Sequence, residues 1–282
     1  MKPLDLPRDC DPHTPCSLVR VVRESASKIL LNRPCALRVA PFVKIDAAQG
    51  VQGETTLTKF IGITACVFDA YGTLFDVHSA VGKHRSRLGD NAGAVSGMWR
   101  AKQLEYTWQR TILDRYVDFW RVTADSLDYA LDAHGVKDAA LRGDLLRAYL
   151  ELDCYPEVAG VLSTLKKAGL RNAILSNGSP MMLEAAVDNA GIGGLLDAVV
   201  SVDELGVYKP SAEVYQLAMD ELEVGRGQVS FQSSNAWDAA AAATFGFRVA
   251  WCNRFGQARE RLPDAPDVEI RTLDELPAIV LP

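Results

Sequence analysis

Between Glu157 and Cys252 the chain alternates helical and extended patterns, and this alternation limits the possible folds more than any other feature of the sequence. Glu157 to Lys167 reads as a helix opened by Pro156, Asn172 to Ser176 as a strand, Met181 to Ala190 as a helix and Ala198 to Val202 as a strand. The series continues with Ala212 to Leu222 helical, Val229 to Gln232 extended, Ala236 to Phe245 helical and Arg248 to Cys252 extended. Strands separated by helices build a parallel sheet with helices on both faces. The predicted class is α/β, a doubly wound, Rossmann-like parallel sheet.

The first strand of that sheet is expected at Cys66-Val67-Phe68, ending in Asp69 and followed by a turn marked by Gly72 and Thr73. Ligands of open parallel sheets sit beyond the carboxyl ends of the strands, so Asp69 would stand on a rigid element and face a crevice. Taken alone it reads equally as an Asp that caps a turn. The pattern is then helical for about 80 residues. Arg100, Leu104 and Trp108 recur at four-residue spacing on one face, and Tyr116, Phe119, Trp120, Thr123 and Leu127 form a second stripe. Residues 78–152 are expected to form a helical cap over a core made of 61–77 and 153–282, with the site between them.

Three more strand ends gather beside Asp69. The run Ser176-Asn177-Gly178-Ser179-Pro180 offers hydroxyls and helix-start amides suited to an anion, though a plain helix cap also explains it. Lys209 in Val207-Tyr208-Lys209-Pro210 is either a site residue or a solvated surface charge. Ser233-Ser234-Asn235-Ala236-Trp237-Asp238 places small polar groups and a carboxylate at the last of these ends.

With 282 residues, 48% hydrophobic, the chain can build one large domain or a domain with a lid. A net charge of −6 leaves no basic surplus to neutralise phosphates, which argues against a nucleic-acid partner. No apolar run approaches the roughly 20 residues that span a bilayer, and no compact secretory signal opens the chain. A cytoplasmic protein without a membrane partner is expected. The six cysteines lack CxxC spacing and read as reduced packing residues. Residues 1 to about 60 are rich in breakers and carry no clean period, so a poorly ordered extension without assigned function is expected; Asp5, Asp9 and Asp11 count against an organelle leader.

The words FDAYGTLFDVHS, WRAKQLEYTW, ILSNGSP, VYKP and SSNAWDA together resemble the haloacid dehalogenase superfamily, and within it the (S)-2-haloacid dehalogenases, over residues from about 62 to 280. Phosphatase members carry a second Asp two places after the nucleophile, where Tyr71 stands here, and carboxylates for magnesium where Ser233, Ser234 and Asn235 stand. With those acids missing, a hard divalent cation lacks its ligands, and no metal or other cofactor is expected.

The resemblance implies roles residue by residue. Asp69 would be the nucleophile that displaces halide and forms an ester, with Thr73 bonding its loop. Arg100, with Asn235 and the ring edge of Phe119, would meet the leaving halide as a permanent positive charge. Ser176 and the Asn177 amide would seat the substrate carboxylate, with Tyr215 nearby. Lys209 would keep Asp69 ionised. Asp238, with Ser233 and Asn235, would hold and activate water. Tyr71, Leu104, Phe119 and Trp237 would wall the alkyl group, and Ala70 would slightly widen that pocket. Ala101 stands where the family commonly has Gln, which bears on substrate size and not on reaction type. The implied reaction converts short (S)-2-haloalkanoic acids to (R)-2-hydroxyalkanoic acids, in a homodimer. The rivals are a phosphatase of the same fold and a non-catalytic binding module.

Overall fold

The computed structural model describes residues 58–282. Among them, six parallel strands form one sheet in the order β5-β4-β1-β6-β7-β8. In chain order these are β1 (Ala65–Phe68), β4 (Arg171–Ser176), β5 (Ala198–Ser201), β6 (Val229–Ser233), β7 (Arg248–Cys252) and β8 (Val268–Ile270). The central strands β1 and β6 are buried along their whole length, as strands covered on both faces must be, and the edge strand β5 is not. Phe68 lies opposite both Ile174 and Gln232, so Asp69, Ser176 and Ser233 all emerge at one edge of the sheet. Helices Val158–Lys167, Pro180–Ala190, Ala212–Leu222 and Ala236–Phe245 connect the strands, giving the doubly wound core.

A helical cap is inserted after β1. Its two ends are joined by a short antiparallel pair, β2 (Phe75–Asp76) and β3 (Asp153–Cys154), which brings the entering and returning chain together. Between them lie helices Ser79–Lys83, Arg85–Leu88, Ala92–Ile112, Phe119–Ala133 and Ala139–Leu150. Asp118 and Asp138 start the last two by accepting from Arg121 N and Leu141 N, each at 2.9 Å, which satisfies an amide the helix cannot.

The long Ala92–Ile112 helix presents two adjacent stripes. Val95, Trp99, Gln103 and Thr107 are buried against the Phe119–Ala133 helix. There Trp99 Nε1 donates to the Thr123 carbonyl (2.9 Å), Gln103 Nε2 to Thr123 Oγ1 (3.0 Å) and Tyr149 OH to Gln103 Oε1 (3.1 Å). Every buried polar end in this set has a partner, which fixes the rotation of the helix. The neighbouring stripe of Arg100, Leu104 and Trp108 is only half buried and is turned toward the strand ends. Among the contacts that tie the inserted helices to the sheet domain, Tyr116 OH donates to Asp203 Oδ1 (2.6 Å), Tyr208 OH to the Val117 carbonyl (2.6 Å) and Tyr208 N to Thr111 Oγ1 (3.2 Å).

Several expectations need correction. Val202 opens a turn of 3-10 helix and does not extend β5. Strand β8 and the helix Leu276–Val280 were unforeseen. The expected extension lies outside the described residues as far as residue 57, but Phe60 belongs to the fold: it is buried, and its N–H donates to the Ile279 carbonyl at 2.9 Å. Among the described residues no helix is long and apolar enough to cross a membrane.

Candidate active site

The loop after β1 is folded by one carbonyl. Ala70 O accepts from the amides of Thr73 (3.2 Å), Leu74 (2.9 Å) and Phe75 (3.1 Å), and Gly72 takes the positive φ of +96° that such a tight turn requires. This turn brings the Thr73 hydroxyl back onto Asp69. Oδ2 of Asp69 accepts from Thr73 Oγ1 at 3.0 Å and from Asn235 Nδ2 at 2.8 Å, while Oδ1 accepts from Lys209 Nζ at 3.1 Å. The Asn235 amide works in both directions, since its oxygen accepts from Arg100 Nη2 at 3.2 Å. Arg100 also donates to the Tyr71 carbonyl at 3.1 Å. One amide thus couples a cap guanidinium to the core carboxylate.

Lys209 is 1% exposed and lies between two carboxylates, bonded to Asp238 Oδ2 at 2.9 Å as well as to Asp69. Asn177 Oδ1 holds its main chain by accepting from Lys209 N at 3.0 Å. Burial alone would lower the Lys209 pKa, but the charges of Asp238 and Asp69 and the bonds to both raise it above the ordinary 10.5. Burial raises Asp238; the Lys209 charge opposes this, the Asp69 charge adds to it, and Asp238 stays above the usual carboxylate value. Both shifts run the same way because two carboxylates and one ammonium leave a net negative charge in a poorly solvated place, where any proton is harder to remove. Burial, and next the Asp238 charge, likewise push Tyr215 far up, so it remains a donor.

Protons held more tightly when folded stabilise the fold only while the unfolded chain also keeps them. The contribution of Lys209 is therefore full below about pH 10.5, declines above it, and is lost once the pH passes the higher folded-state value. Tyr215 has the same sign. We predict a fall in the urea midpoint as the pH rises from about 10 to 12. A flat profile over that range would contradict the placement of these groups.

Asp69, Tyr71, Arg100, Leu104, Phe119, Ser176, Asn177, Lys209, Asn235 and Trp237 line one enclosed cavity. It is closed down to about 10 Å³, room for roughly one water, so a ligand enters only as these side chains part. Trp237, set edge-on to Trp108 with ring centres 5.4 Å apart, separates it from an open apolar groove of about 850 Å³. The groove is larger, but the charged groups converge on the cavity. Tyr71 forms the cavity's aromatic wall, stacked on Tyr149 at 5.6 Å and packed against Phe119 at 5.8 Å. Its ring is seated against Gly178, where a Cβ would lie 2.7 Å from Tyr71 Cε2. Gly178→Ala is expected to displace the ring and cost about 1–3 kcal/mol in urea unfolding; an unchanged midpoint would show that the wall yields freely.

Five of the expected residues lie behind the cavity surface, Thr73 among them. Ala70 is wholly buried, and its contribution is the carbonyl that folds the loop. Ser233 is buried with its Oγ accepting from Asn235 N at 3.1 Å, so it shapes the turn that aims Asn235. Tyr215 does not reach the place expected for a substrate carboxylate: it is wholly buried beside Phe231, Phe245 and Phe247, and its hydroxyl donates to Asp238 Oδ1 at 2.7 Å. Asp238 lies behind Lys209 with both oxygens bonded. Thr73 Oγ1 donates to Asp69 Oδ2, and Ser176 lines the cavity with its Oγ accepting from Gly178 N at 3.1 Å. Two participants went unread in the sequence. Tyr149 backs Tyr71 from a cap helix that showed no distinctive stripe, and Ser234 presents its N–H to Thr73 Oγ1 at 2.8 Å, a main-chain role invisible in residue type.

The donor set does not fit a divalent cation. Between Asp69 and Asp238, where two carboxylates could share a metal, the Lys209 ammonium is already bonded to both. Among the described residues, no three His, Cys, Asp or Glu cluster as metal ligands. The site offers instead a carboxylate fixed by three donors, with a guanidinium and aromatic rings lining the same small cavity, an arrangement suited to nucleophilic displacement at carbon.

Comparison with known proteins agrees. Residues 63–246 match the family of haloacid dehalogenase-like hydrolases. The chain is 46% identical over 220 residues to (S)-2-haloacid dehalogenase 1 of Pseudomonas sp. strain CBS-3, covering 78% of this chain and 97% of the relative. It is 38% identical over 217 residues to haloacetate dehalogenase H-2 of Moraxella sp. strain B, covering 76% and 96%. The solved structure of L-2-haloacid dehalogenase from Xanthobacter autotrophicus with chloropropionic acid covalently bound superposes with a TM-score of 0.72 at 39% identity, covering 77% of this chain and 97% of that one. With the fold, the loop after β1 and these matches in agreement, the chain belongs to the haloacid dehalogenase-like hydrolases.

Proposed function

We propose that this protein is an (S)-2-haloacid dehalogenase that hydrolyses short (S)-2-haloalkanoates to (R)-2-hydroxyalkanoates and halide. The observation that carries the reading is the arrangement around Asp69: a buried lysine on one oxygen, and a guanidinium and aromatic rings across the cavity, with Tyr71 where a phosphatase needs an acid. In this reading an Asp69 oxygen attacks the α-carbon as the carbon–halogen bond breaks, and the halide departs with the electron pair toward Arg100, Asn235 and Phe119. Water then attacks the carbonyl carbon of the resulting ester, so the product hydroxyl keeps an Asp69 oxygen and the configuration inverts once. The proton of that water reaches Asp238 by way of the Lys209 ammonium, which bonds Asp69 and Asp238 alike: Lys209 gives a proton to Asp238 Oδ2 and takes up the water's in its place. Ser176 and the Asn177 amide, just ahead of the Pro180–Ala190 helix, seat the substrate carboxylate.

The assignment of 78–152 as cap and 61–77 with 153–282 as core belongs to this reading, and so does a homodimer. A cytoplasmic location is supported by the free thiols of Cys66, Cys154 and Cys252. The test is halide release from (S)- and (R)-2-chloropropionate, side by side, in buffer containing EDTA. Release from the (S) acid alone is expected. Release from neither, with turnover of phosphate esters in magnesium, would favour the phosphatase rival.

A further inference from the structure

Arg254, just beyond the end of β7, has no part in the chemistry above, yet its side chain is only 8% exposed and sits against the nucleophile loop. Its Nη2 donates to the Thr73 carbonyl at 2.8 Å. Its Nη1 lies 2.5 Å from Glu157 Oε1, a charge contact, and the Glu157 side chain is itself only 9% exposed. The guanidinium carbon lies 3.9 Å from the ring centre of Tyr155, whose N–H donates to the Leu74 carbonyl at 3.0 Å. One guanidinium therefore joins three segments: the Asp69 loop, the chain returning from the cap, and the end of β7.

The Thr73 residue is gripped at both ends. Arg254 takes its carbonyl, while its hydroxyl accepts from Ser234 N at 2.8 Å and donates to Asp69 Oδ2 at 3.0 Å. Rotation of that peptide would swing the hydroxyl off Asp69. An unpaired guanidinium could not remain at this depth, so Glu157 is what keeps it there. We propose that Arg254, held by Glu157, is a positioning residue that fixes the Thr73 main chain and through it the orientation of the Asp69 carboxylate for attack. The proposal rests on Asp69 being the nucleophile in dehalogenation.

The experiment compares wild type, Arg254→Ala, Arg254→Lys and Glu157→Gln for kcat and KM in halide release from (S)-2-chloropropionate, alongside thermal midpoints. Arg254→Ala is expected to lower kcat by on the order of ten- to a hundredfold with KM within about threefold, because a misplacement of about 1 Å costs that much. Lysine keeps the charge but not the fork, so Arg254→Lys should recover thermal midpoint more than kcat. Guanidinium sulfate should restore turnover to Arg254→Ala where equal sodium sulfate does not. Should Arg254→Ala fail to fold, Arg254→Lys and Glu157→Gln carry the same kcat-against-KM comparison. A folded variant with wild-type kcat, or no recovery beyond the sodium control, overturns the positioning role. Absence of release by wild type overturns the dehalogenase reading itself, a result distinct from either.

Discussion

Asp69→Asn is expected to release no measurable halide from (S)-2-chloropropionate, with turnover reduced by on the order of 10⁴-fold or more, the scale on which a nucleophile's removal is felt. The amide is nearly the same shape, so the cavity keeps its walls, but it has lost the charged oxygen that forms the bond to carbon. The variant stays folded. Asp69 and Asp238 now compete for one ammonium, and removing the first carboxylate leaves Lys209 and Asp238 as a neutral buried pair. Against this gain, one of the donors on Asp69, either Lys209 or the Thr73 and Asn235 pair, loses its acceptor. Urea unfolding and halide release on the same sample check both halves. A binding module predicts no change in any property, and a variant with retained turnover would remove Asp69 from the chemistry.

Lys209→Met has the second large effect, on stability as well as on rate. Methionine fills the volume but leaves two buried carboxylates facing each other without a counter-charge, and breaking a buried pair by deleting one partner costs about 3–5 kcal/mol. That is a large part of the 5–15 kcal/mol or so that holds a domain together. Like charges at such a depth force one carboxylate to take up a proton, and Asp69 also loses the donor that fixes its Oδ1 for attack. Adding Asp238→Asn to Lys209→Met should return most of the lost stability, since it removes the unpaired charge, but not the activity. Equal stability losses in the single and double variants would mean that the ion pairs are not what the lysine supplies.

Most of the fold was legible because its elements are governed by local patterns. The bounds read for Ala212–Leu222, Ala236–Phe245 and Arg248–Cys252 match the structure, since Pro210-Ser211 ahead of the first helix and Gly246 between the second helix and β7 punctuate them. Strands β2, β3 and β8 hold only two or three residues, too few for any period to show. On the long cap helix the conspicuous stripe of Arg100, Leu104 and Trp108 proved to be the site face; the packing stripe beside it includes Gln103, whose amide is satisfied a helix away, and Thr107, whose hydroxyl donates to the Leu104 carbonyl of its own helix. At the site, the family resemblance pointed to Asp69, Arg100, Lys209 and Asn235, which the structure brings together. It could not show that the Tyr215 hydroxyl is taken up by Asp238, nor that an arginine in a loop is buried, because both depend on distant strands meeting.

A single turnover in ¹⁸O water tests the central claim most directly. With enzyme in excess over (S)-2-chloropropionate, the label is expected in the Asp69 carboxylate, read by mass spectrometry of the peptide that contains it, and the lactate formed is expected to carry unlabelled hydroxyl oxygen. Label in the lactate hydroxyl and none in Asp69 would mean that water attacks carbon directly, and the covalent role assigned to Asp69 would be wrong.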